Sequence, residues 1–226
     1  MSPTRLIALA FAALLLAGAT KPAARNWNRT VALLPSGSHL LGNPAAEVKL
    51  VTFVSYTCPH CSQFERQADA PLRVTYVHNG KLSIEIRHLV RDPIDLTAAM
   101  LTNCGPKEKF FLNHAAIMRS QPVWIETLHH SSPAQQARWT SGNRLAQSRA
   151  IATDFKFYAV MATRGYDRTA VDRCMADQAM AERLARMTAD AAALGVESTP
   201  SFLLNNLLLS GTHDWALLRA QIEARM

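Results

Sequence analysis

The chain has 226 residues, of which 49% are hydrophobic and 18% charged, and its formal net charge is +7. These values are ordinary for a globular protein and allow one large domain or one domain with a second inserted into it. The positive charge lies mostly on scattered arginines and not in a basic run with interleaved aromatic residues. We therefore interpret it as a solvated basic surface and do not predict nucleic-acid binding.

The N-terminus has the pattern of a bacterial secretory signal peptide. Arg5 precedes an apolar run at residues 6–16, and Ala17-Gly18-Ala19 offers a small-residue cleavage site. The run is short for a membrane span, and no cysteine follows it that would carry a lipid anchor. We expect residues 1–19 to be removed and the mature protein to enter an oxidising compartment, where disulfides persist. An uncleaved membrane anchor is the alternative.

The next segments predict a lead-in, a strand, a helix and a second strand. Residues 20–41 are interpreted as an irregular lead-in with one short strand near 31–34. Residues 48–56 (VKLVTFVSY) are apolar at nearly every position, which predicts a central strand buried on both faces. A helix is predicted from Pro59, because a first helical position tolerates the missing N–H of proline. Residues 82–90 (LSIEIRHLV) alternate well enough to predict another strand.

The second half of the chain is mainly helical. Alanine-rich amphipathic stretches, separated by glycine and proline, run from residue 94 to about residue 180 and predict an all-helical insert. A helix at 180–194 follows, and then a hairpin that turns at Asn205-Asn206, since asparagine tolerates a positive φ. A last helix is predicted at 215–225. This order requires a mixed sheet flanked by helices, which is an α/β fold.

The motif that indicates a chemical activity is Cys58-Pro59-His60-Cys61. Cys58 stands at a predicted helix start, where the helix dipole and free N–H groups stabilise a thiolate. The two-residue spacer brings Cys61 within bonding distance, one turn into the helix and more buried. His60 can add a positive charge or a hydrogen bond to the Cys58 sulfur. Stabilising the thiolate stabilises the reduced form, which makes the disulfide a stronger oxidant.

Two other interpretations of this cysteine pair are weaker. A zinc site needs two more ligands at a compatible spacing, but there is no second C-x-x-C, and His129 and His130 are adjacent. A purely structural disulfide would close a very small loop and remove little entropy from the unfolded chain. We therefore predict a redox-active pair with no metal and no cofactor.

The chain has four cysteines, which allow three pairings. Cys58 and Cys61 are close enough in sequence to pair locally. That pairing leaves Cys104 with Cys174.

The motif and its surroundings resemble the DsbA-like thiol:disulfide oxidoreductases of the thioredoxin superfamily. The resemblance rests on VTFVSYTCPHC (51–61), GKLSIEIRHLVRDP (80–93) and GVESTPSFLLN (195–205), which occur in the family's order. It implies a thioredoxin fold with an inserted helical domain and export to the bacterial periplasm. The implied division is a lead-in at 20–41, a discontinuous thioredoxin-like domain at 42–95 and 178–226, and the insert at 96–177.

The resemblance also implies roles outside the cysteine motif. Thr199-Pro200 is expected to be a cis peptide bond against Cys58, with the Thr199 backbone pairing with an extended substrate and its side chain tuning the Cys58 sulfur. An ordinary proline at a strand start is the alternative. Cys104 and Cys174, each on a predicted amphipathic helix, are expected to form a structural disulfide. Two buried thiols or a regulatory disulfide are the alternatives there.

One position departs from the family's pattern. Well-known members carry a buried acid six residues before the first cysteine, and that position is Thr52 in this chain. The proton acceptor expected for Cys61 is therefore absent from its usual place.

Several other polar and aromatic residues are predicted to be structural. His88, Arg91 and His114 lie near apolar runs and are interpreted as satisfied structural side chains, not as catalysts. The aromatic residues at helical spacing are predicted to lie in the core, and they are Phe110, Phe111, Phe155, Phe157 and Tyr158.

Together these features predict a periplasmic dithiol oxidase, with Cys58 as the exposed nucleophile and Cys61 as the buried thiol that re-forms the bridge. Its expected partners are reduced, unfolded proteins and a membrane quinone-linked reoxidase of the DsbB type, and we expect a monomer. A disulfide isomerase or reductase of the same fold is the alternative. Isomerases of related type carry an N-terminal dimerisation domain, for which the stretch after the signal is too short. A third hypothesis is a substrate-holding protein whose disulfide is structural.

Overall fold

The structure, a computed structural model, describes residues 25–226, so the predicted signal peptide at residues 1–19 lies outside the described residues. Its strands are Val31–Leu33 (β1), His39–Gly42 (β2), Val48–Val54 (β3), Leu82–His88 (β4), Ser201–Leu204 (β5) and Leu207–Leu208 (β6). They form one sheet in the order β1-β2-β4-β3-β5-β6. β3 and β4 are parallel, and the other neighbouring pairs are antiparallel. The predicted mixed sheet is confirmed.

Ten α-helices occur within residues 25–226. They are Pro59–Pro71 (α1), Pro93–Thr102 (α2), Phe110–Trp124 (α3), Glu126–His129 (α4), Pro133–Thr140 (α5), Arg144–Asp154 (α6), Phe157–Ala162 (α7), Arg168–Ala176 (α8), Gln178–Ala193 (α9) and Trp215–Glu223 (α10). A π-helical segment, Leu72–Val77, continues α1. Among these residues, none of the helices has the length and hydrophobicity needed to cross a membrane.

β3 lies at the centre of the sheet and is buried on both faces. On one face, Val51 and Phe53 pack with Ala191 of α9. On the opposite face, Leu50 lies in the main core together with Phe64 of α1. This two-sided burial is the reason the strand lacks a polar alternation, as predicted. It also places the C-terminal end of β3, where the cysteine motif begins, between the two helical layers.

The lead-in contains one strand more than the sequence predicted. β1 corresponds to the short strand predicted there, but β2 was not predicted. β2 pairs with β1 on one side and with β4 on the other. Its four residues, HLLG, are too few to show a periodicity, so only the pairing with two neighbours makes this segment a strand.

The elements after the insert match their predictions closely. The hairpin between β5 and β6 turns at Asn205 and Asn206, whose φ angles are 50° and 66°. α9 begins two residues earlier than predicted, because the Asp177 carboxylate accepts a hydrogen bond from the Met180 N–H at 2.8 Å and caps the helix there. Asp214 caps α10 in the same way, through the N–H of Leu217.

The region predicted to be an all-helical insert contains α2 to α8 and no strand. We propose residues 96–177 as the insert and assign β1 and β2 to the thioredoxin-like domain. Within the insert, Cys104 and Cys174 form a disulfide with their Cα atoms 5.5 Å apart. Cys174 lies on α8, whereas Cys104 lies just beyond the end of α2 and not on a helix as expected.

Replacing both Cys104 and Cys174 with serine is expected to lower the free energy of unfolding. The bond joins residues 70 apart in sequence, and the entropy of closing such a loop in the unfolded chain corresponds to about 4 kcal/mol as an upper value. Urea unfolding of the wild type and the double variant under oxidising conditions measures the difference. Equal stabilities would contradict a structural role.

The predicted aromatic core is correct for four of its five members. Phe110, Phe111, Phe155 and Phe157 are buried. Tyr158 is only partly buried, because its hydroxyl reaches the Asp172 carboxylate at 2.5 Å and Arg168 lies over its ring. A phenol needs such a polar partner, which holds this ring at the edge of the core.

Candidate active site

The two cysteines of the motif lie at the N-terminus of α1, as predicted. Cys58 is the N-cap residue and Pro59 is the first helical residue. The Cys61 N–H donates to the Cys58 carbonyl at 3.1 Å, which closes the first turn around the two sulfurs. Both side chains are free thiols. Because Pro59 has no N–H, the backbone N–H groups of the first turn that act on the Cys58 sulfur are those of His60 and Cys61.

Cys58 is not exposed, contrary to the prediction. It is 4% exposed and Cys61 is 1% exposed. The physical reason is the loop at Thr199-Pro200, whose peptide bond is cis. The Cys58 thiol donates a hydrogen bond to the Thr199 carbonyl at 3.1 Å, so this loop lies directly on the sulfur.

The two thiols have pKa values that move in opposite directions. A hydrogen bond from Cys61 is the main cause that lowers the pKa of Cys58 to about 4, against the effect of burial. The backbone of Cys61 and His60 and the Thr199 hydroxyl lower it further. That hydroxyl is buried and has no hydrogen-bond partner within residues 25–226, so it is free to donate to the thiolate. Burial raises the pKa of Cys61 well above its ordinary value, and the Cys58 sulfur raises it further. At neutral pH Cys58 is therefore a thiolate and Cys61 a thiol.

His60 contributes its backbone and not its side chain to the sulfur. Its backbone N–H helps to lower the pKa of Cys58, whereas its imidazole is exposed and makes no hydrogen bond within residues 25–226. The side chain instead lines a cleft of about 500 Å³ beside the motif. The cleft is lined in part by His60, Gln63, Phe64, Thr199, Pro200 and His213. The predicted role of this imidazole at the sulfur therefore has no contact to support it.

Asp95 holds the residues just before the motif, and the sequence analysis missed it. Its carboxylate accepts hydrogen bonds from the Ser55 hydroxyl at 2.6 Å, from the Tyr56 N–H at 2.7 Å and from the Arg91 N–H at 3.1 Å. Beside it, the Thr57 hydroxyl donates to Asp92 at 2.8 Å. The start of α2, just before the insert, thus anchors the strand end that leads into Cys58.

Gln121 is a second residue that the sequence analysis missed. It lies on α3 in the insert, and its side-chain amide donates to the carbonyls of Tyr56 and Cys58 at 2.5 and 2.9 Å. These two buried carbonyls belong to the turn that presents the motif. The turn is therefore held from two sides, by the start of α2 and by α3 of the insert.

Replacing Asp95 with asparagine is expected to change how stability depends on pH. Burial raises the pKa of Asp95 from 3.8 to about 7, although its hydrogen bonds with Ser55, Tyr56 and Arg91 lower it. A carboxyl whose pKa is higher in the folded than in the unfolded protein stabilises the fold in its protonated form. This stabilisation is complete below the pKa of the unfolded state and is lost as pH rises to the pKa of the folded state. The stability of the wild type relative to Asp95→Asn should thus fall by about 4 kcal/mol between pH 4 and pH 7.

Urea unfolding of both proteins across this pH range measures the effect. All other titrating groups are shared by the two proteins, so their difference isolates Asp95. Parallel stability curves would contradict a raised pKa for this carboxyl.

The three polar residues predicted to be structural lie near the site. The Arg91 side chain donates to the Ser55 hydroxyl at 3.1 Å. His114 Nδ1 lies 2.8 Å from the Tyr56 hydroxyl. His88 Nε2 lies 3.1 Å from the Asn103 amide, but its buried Nδ1 has no hydrogen-bond partner within residues 25–226, so this side chain is only half satisfied.

Comparisons with known proteins agree with this geometry. The thioredoxin family profile matches residues 35–224. A protein-disulfide isomerase from Novosphingobium aromaticivorans is 53% identical, and its crystal structure aligns with a TM-score of 0.81 over 84% of this chain and 97% of that chain. Alpha-DsbA1 from Wolbachia pipientis is 23% identical and has the same fold, with a TM-score of 0.66 over 84% of this chain and 91% of that chain.

A third comparison covers a shorter stretch. A Rickettsia prowazekii protein named as a protein-disulfide oxidoreductase is 33% identical over 86 residues, which are 38% of this chain and 32% of that protein. The chain thus matches about a third of the length of that relative. The family profile, in contrast, covers nearly all of the described residues. The chain belongs to the thioredoxin family.

Proposed function

We propose that this protein is a thiol:disulfide oxidoreductase that donates its Cys58–Cys61 disulfide to reduced exported proteins. One observation carries the proposal: the pKa of Cys58 is lowered to about 4 at a helix N-terminus. A stabilised thiolate stabilises the dithiol form relative to the disulfide. The disulfide of such a pair is therefore a strong oxidant, and a good leaving group is released from it.

The proposed reaction transfers two electrons from a client protein to the enzyme. A client thiolate attacks the Cys58 sulfur, the Cys58–Cys61 bond breaks, and Cys61 leaves with the bonding electrons. A second client thiolate then attacks the client sulfur of the mixed disulfide, and Cys58 leaves as a thiolate. The client loses two electrons and two protons, and the enzyme becomes the dithiol.

The proposed client site is the cleft beside Thr199 and Pro200. Its volume of about 500 Å³ holds a few side chains of an extended segment. The Cys58 sulfur lies 3.1 Å from the Thr199 carbonyl oxygen, which accepts a hydrogen bond from it only while the thiol is protonated. When the sulfur is in a mixed disulfide, the Thr199 backbone becomes free to pair with the client main chain, as in a short strand addition.

The proposal also covers the oligomeric state, the cellular location and the reoxidation of the protein. We infer that the protein works as a monomer in the periplasm after loss of residues 1–19. A membrane quinone-linked reoxidase of the DsbB type would restore the disulfide, since each turnover leaves a dithiol. Cys104–Cys174 would remain oxidised as a structural bond throughout.

A redox titration of the Cys58–Cys61 pair in glutathione buffers tests the proposed oxidase. Its potential should lie well above the thioredoxin value of about −270 mV. A potential as low as that of thioredoxin would contradict oxidation as the main task.

A disulfide isomerase is the second candidate. The 53% identical Novosphingobium protein is named a protein-disulfide isomerase, and this favours the alternative. An isomerase reactivates scrambled ribonuclease in its reduced form, whereas a dithiol oxidase does so poorly. Efficient reactivation by the reduced protein would assign the isomerase task.

A further inference from the structure

A second cavity lies between the thioredoxin-like domain and the insert, and it has a volume of about 360 Å³. On one side it is lined by residues of β2 and α9, and on the other by residues of α8 and of the segment between α2 and α3. Cys58, Cys61 and the Thr199-Pro200 loop do not line it. Its volume lies within the range of roughly 300–1,000 Å³ that is typical of small-molecule sites. The cavity therefore has room for a small organic ligand away from the motif.

Three cationic side chains line this cavity, and none of them forms an ion pair within residues 25–226. They are Lys107, Arg173 and Arg183. The acid that also lines the cavity, Asp177, already accepts the hydrogen bond from Met180 that caps α9. Three positive charges and one negative charge leave an excess of two positive charges. A cleft lined mainly by one sign of charge attracts counter-ions, so this excess matches a ligand with two negative charges.

His39 adds an unpartnered polar group to the wall of the cavity. It is 5% exposed, and its ring stacks on Phe110 with the centroids 3.8 Å apart. Its Nδ1 atom is enclosed and has no hydrogen-bond partner within residues 25–226, so Nε2 is the ring nitrogen that can face the cavity. Burial and the charge of Arg183 lower the pKa of His39 to about 4, which keeps the ring neutral. Because an enclosed N–H without an acceptor is costly, the neutral ring carries its proton on Nε2, where it is a donor for a bound anion.

The fold holds two of the three cations near their positions before any ligand binds. The Arg183 stem packs against the loop after β1, where a Cβ atom added to Gly37 would lie 3.5 Å from the Arg183 Cδ atom. Arg173 directly precedes Cys174, whose disulfide with Cys104 fixes α8 to the end of α2. Groups that are already placed lose less conformational entropy on binding, and this favours a specific site.

We propose that this cavity binds a small organic dianion, a dicarboxylate or a phosphate monoester, whose charged oxygens pair with Lys107, Arg173 and Arg183. The His39 ring donates a hydrogen bond to one of these oxygens. Arginine suits both kinds of ligand, because its planar fork matches carboxylate and phosphate oxygens alike. The bound dianion would join the insert to the sheet and stabilise the fold, since it binds the native state. This site does not depend on the proposed redox role of the motif.

Calorimetric titration of the purified oxidised protein tests the site, with succinate and glycerol phosphate as probes and acetate as the singly charged comparison. A constant ionic strength and a pH of about 7.5 keep the phosphate monoester close to two charges. At least one probe should bind with one molecule per chain and at least about tenfold more tightly than acetate. Arg183→Gln should weaken that binding about tenfold or more, the fold-change expected for one lost hydrogen bond between charged groups. Arg186→Gln is the matched control, because it removes the same charge from an exposed position of α9 outside the cavity and should leave the affinity unchanged.

Nuclear magnetic resonance of the His39 ring locates the ligand, since its signals should shift as the probe saturates the wild type. Arg173→Gln, at an exposed position, replaces Arg183→Gln in the test if the latter does not fold. Preferential binding of succinate would identify the ligand as a dicarboxylate, and preferential binding of glycerol phosphate would identify it as a phosphate monoester. The inference would be overturned if neither probe bound, if acetate bound equally well, or if His39 did not respond. An equal loss of affinity in Arg186→Gln would also overturn it, because the effect would then come from net charge alone.

Discussion

Replacing Cys58 with serine is expected to abolish oxidation of a dithiol client peptide, with a loss in rate on the order of 10⁴-fold or more. The reason is that Cys58 alone combines a lowered pKa with a position against the Thr199-Pro200 loop and the cleft. Cys61 cannot replace it, because burial raises its pKa and leaves it a thiol. The rate of peptide oxidation, followed by chromatography, measures the effect.

Replacing Cys61 with serine should give a different result with the same peptide. Cys58 can still form a mixed disulfide, but no second thiol in the motif remains to displace the client. The mixed disulfide should therefore accumulate and appear in the mass spectrum as one enzyme plus one peptide.

The double replacement of Cys104 and Cys174 is the control for both variants, since it removes two cysteines without touching the motif. It should retain oxidation at temperatures where it is folded. If Cys58→Ser oxidised the peptide at the wild-type rate, the substrate-holding hypothesis would replace the catalytic one.

The second large effect concerns the ionisation of Cys58. The ultraviolet absorbance of the thiolate should titrate near pH 4 in the reduced protein. Thr199→Val should raise that pKa by about one unit or more. It removes a buried hydroxyl that has no other partner within residues 25–226 and can donate to the thiolate, and a hydrogen bond to a charged group contributes roughly 1.5–3 kcal/mol. Ser198→Ala changes the neighbouring hydroxyl of the same loop and should leave the titration unchanged. A Cys58 pKa near 9 in the wild type would contradict the proposed stabilisation.

The same pKa predicts how the stability of the reduced protein depends on pH. Cys58 has a pKa lowered from 9.0 to about 4 in the fold. A thiol whose pKa is lower in the folded than in the unfolded protein stabilises the fold in its ionised form. This stabilisation is complete above the pKa of the unfolded state and is lost as pH falls through the pKa of the folded state. At pH 7 the reduced form should gain about 4 kcal/mol from this source, three pH units at about 1.4 kcal/mol each.

The oxidised form has no such titrating thiol, so the two redox forms should differ in their pH dependence. The stability of the reduced form relative to the oxidised form should decline steadily between pH 7 and pH 4. Urea unfolding of both forms across this range measures it, and a constant difference would contradict a lowered pKa.

The amino-acid sequence by itself determined the order of the elements and the place of the motif. The apolar run of β3, the proline after Cys58 and the asparagines of the last hairpin each act on the backbone within a few residues of themselves. Such local effects show in the sequence as spacing and residue type. They were sufficient to predict the mixed sheet, the helical insert and the position of Cys58 at a helix start.

Only the tertiary structure decided what surrounds the sulfurs. Asp95 lies 40 residues from Ser55 in sequence, Gln121 lies 63 from Cys58, and Thr199 lies 141 from Cys58. The burial of Cys58 depends on the last of these contacts. No local pattern marks these partners, because an acid, an amide or a threonine acquires its role only when distant elements pack together.

The surroundings of Thr52 were likewise decided by the tertiary structure. In the fold, Glu65 of α1 and Thr52 of β3 line one cavity. That meeting depends on how α1 packs against the sheet, which spacing along the chain does not specify.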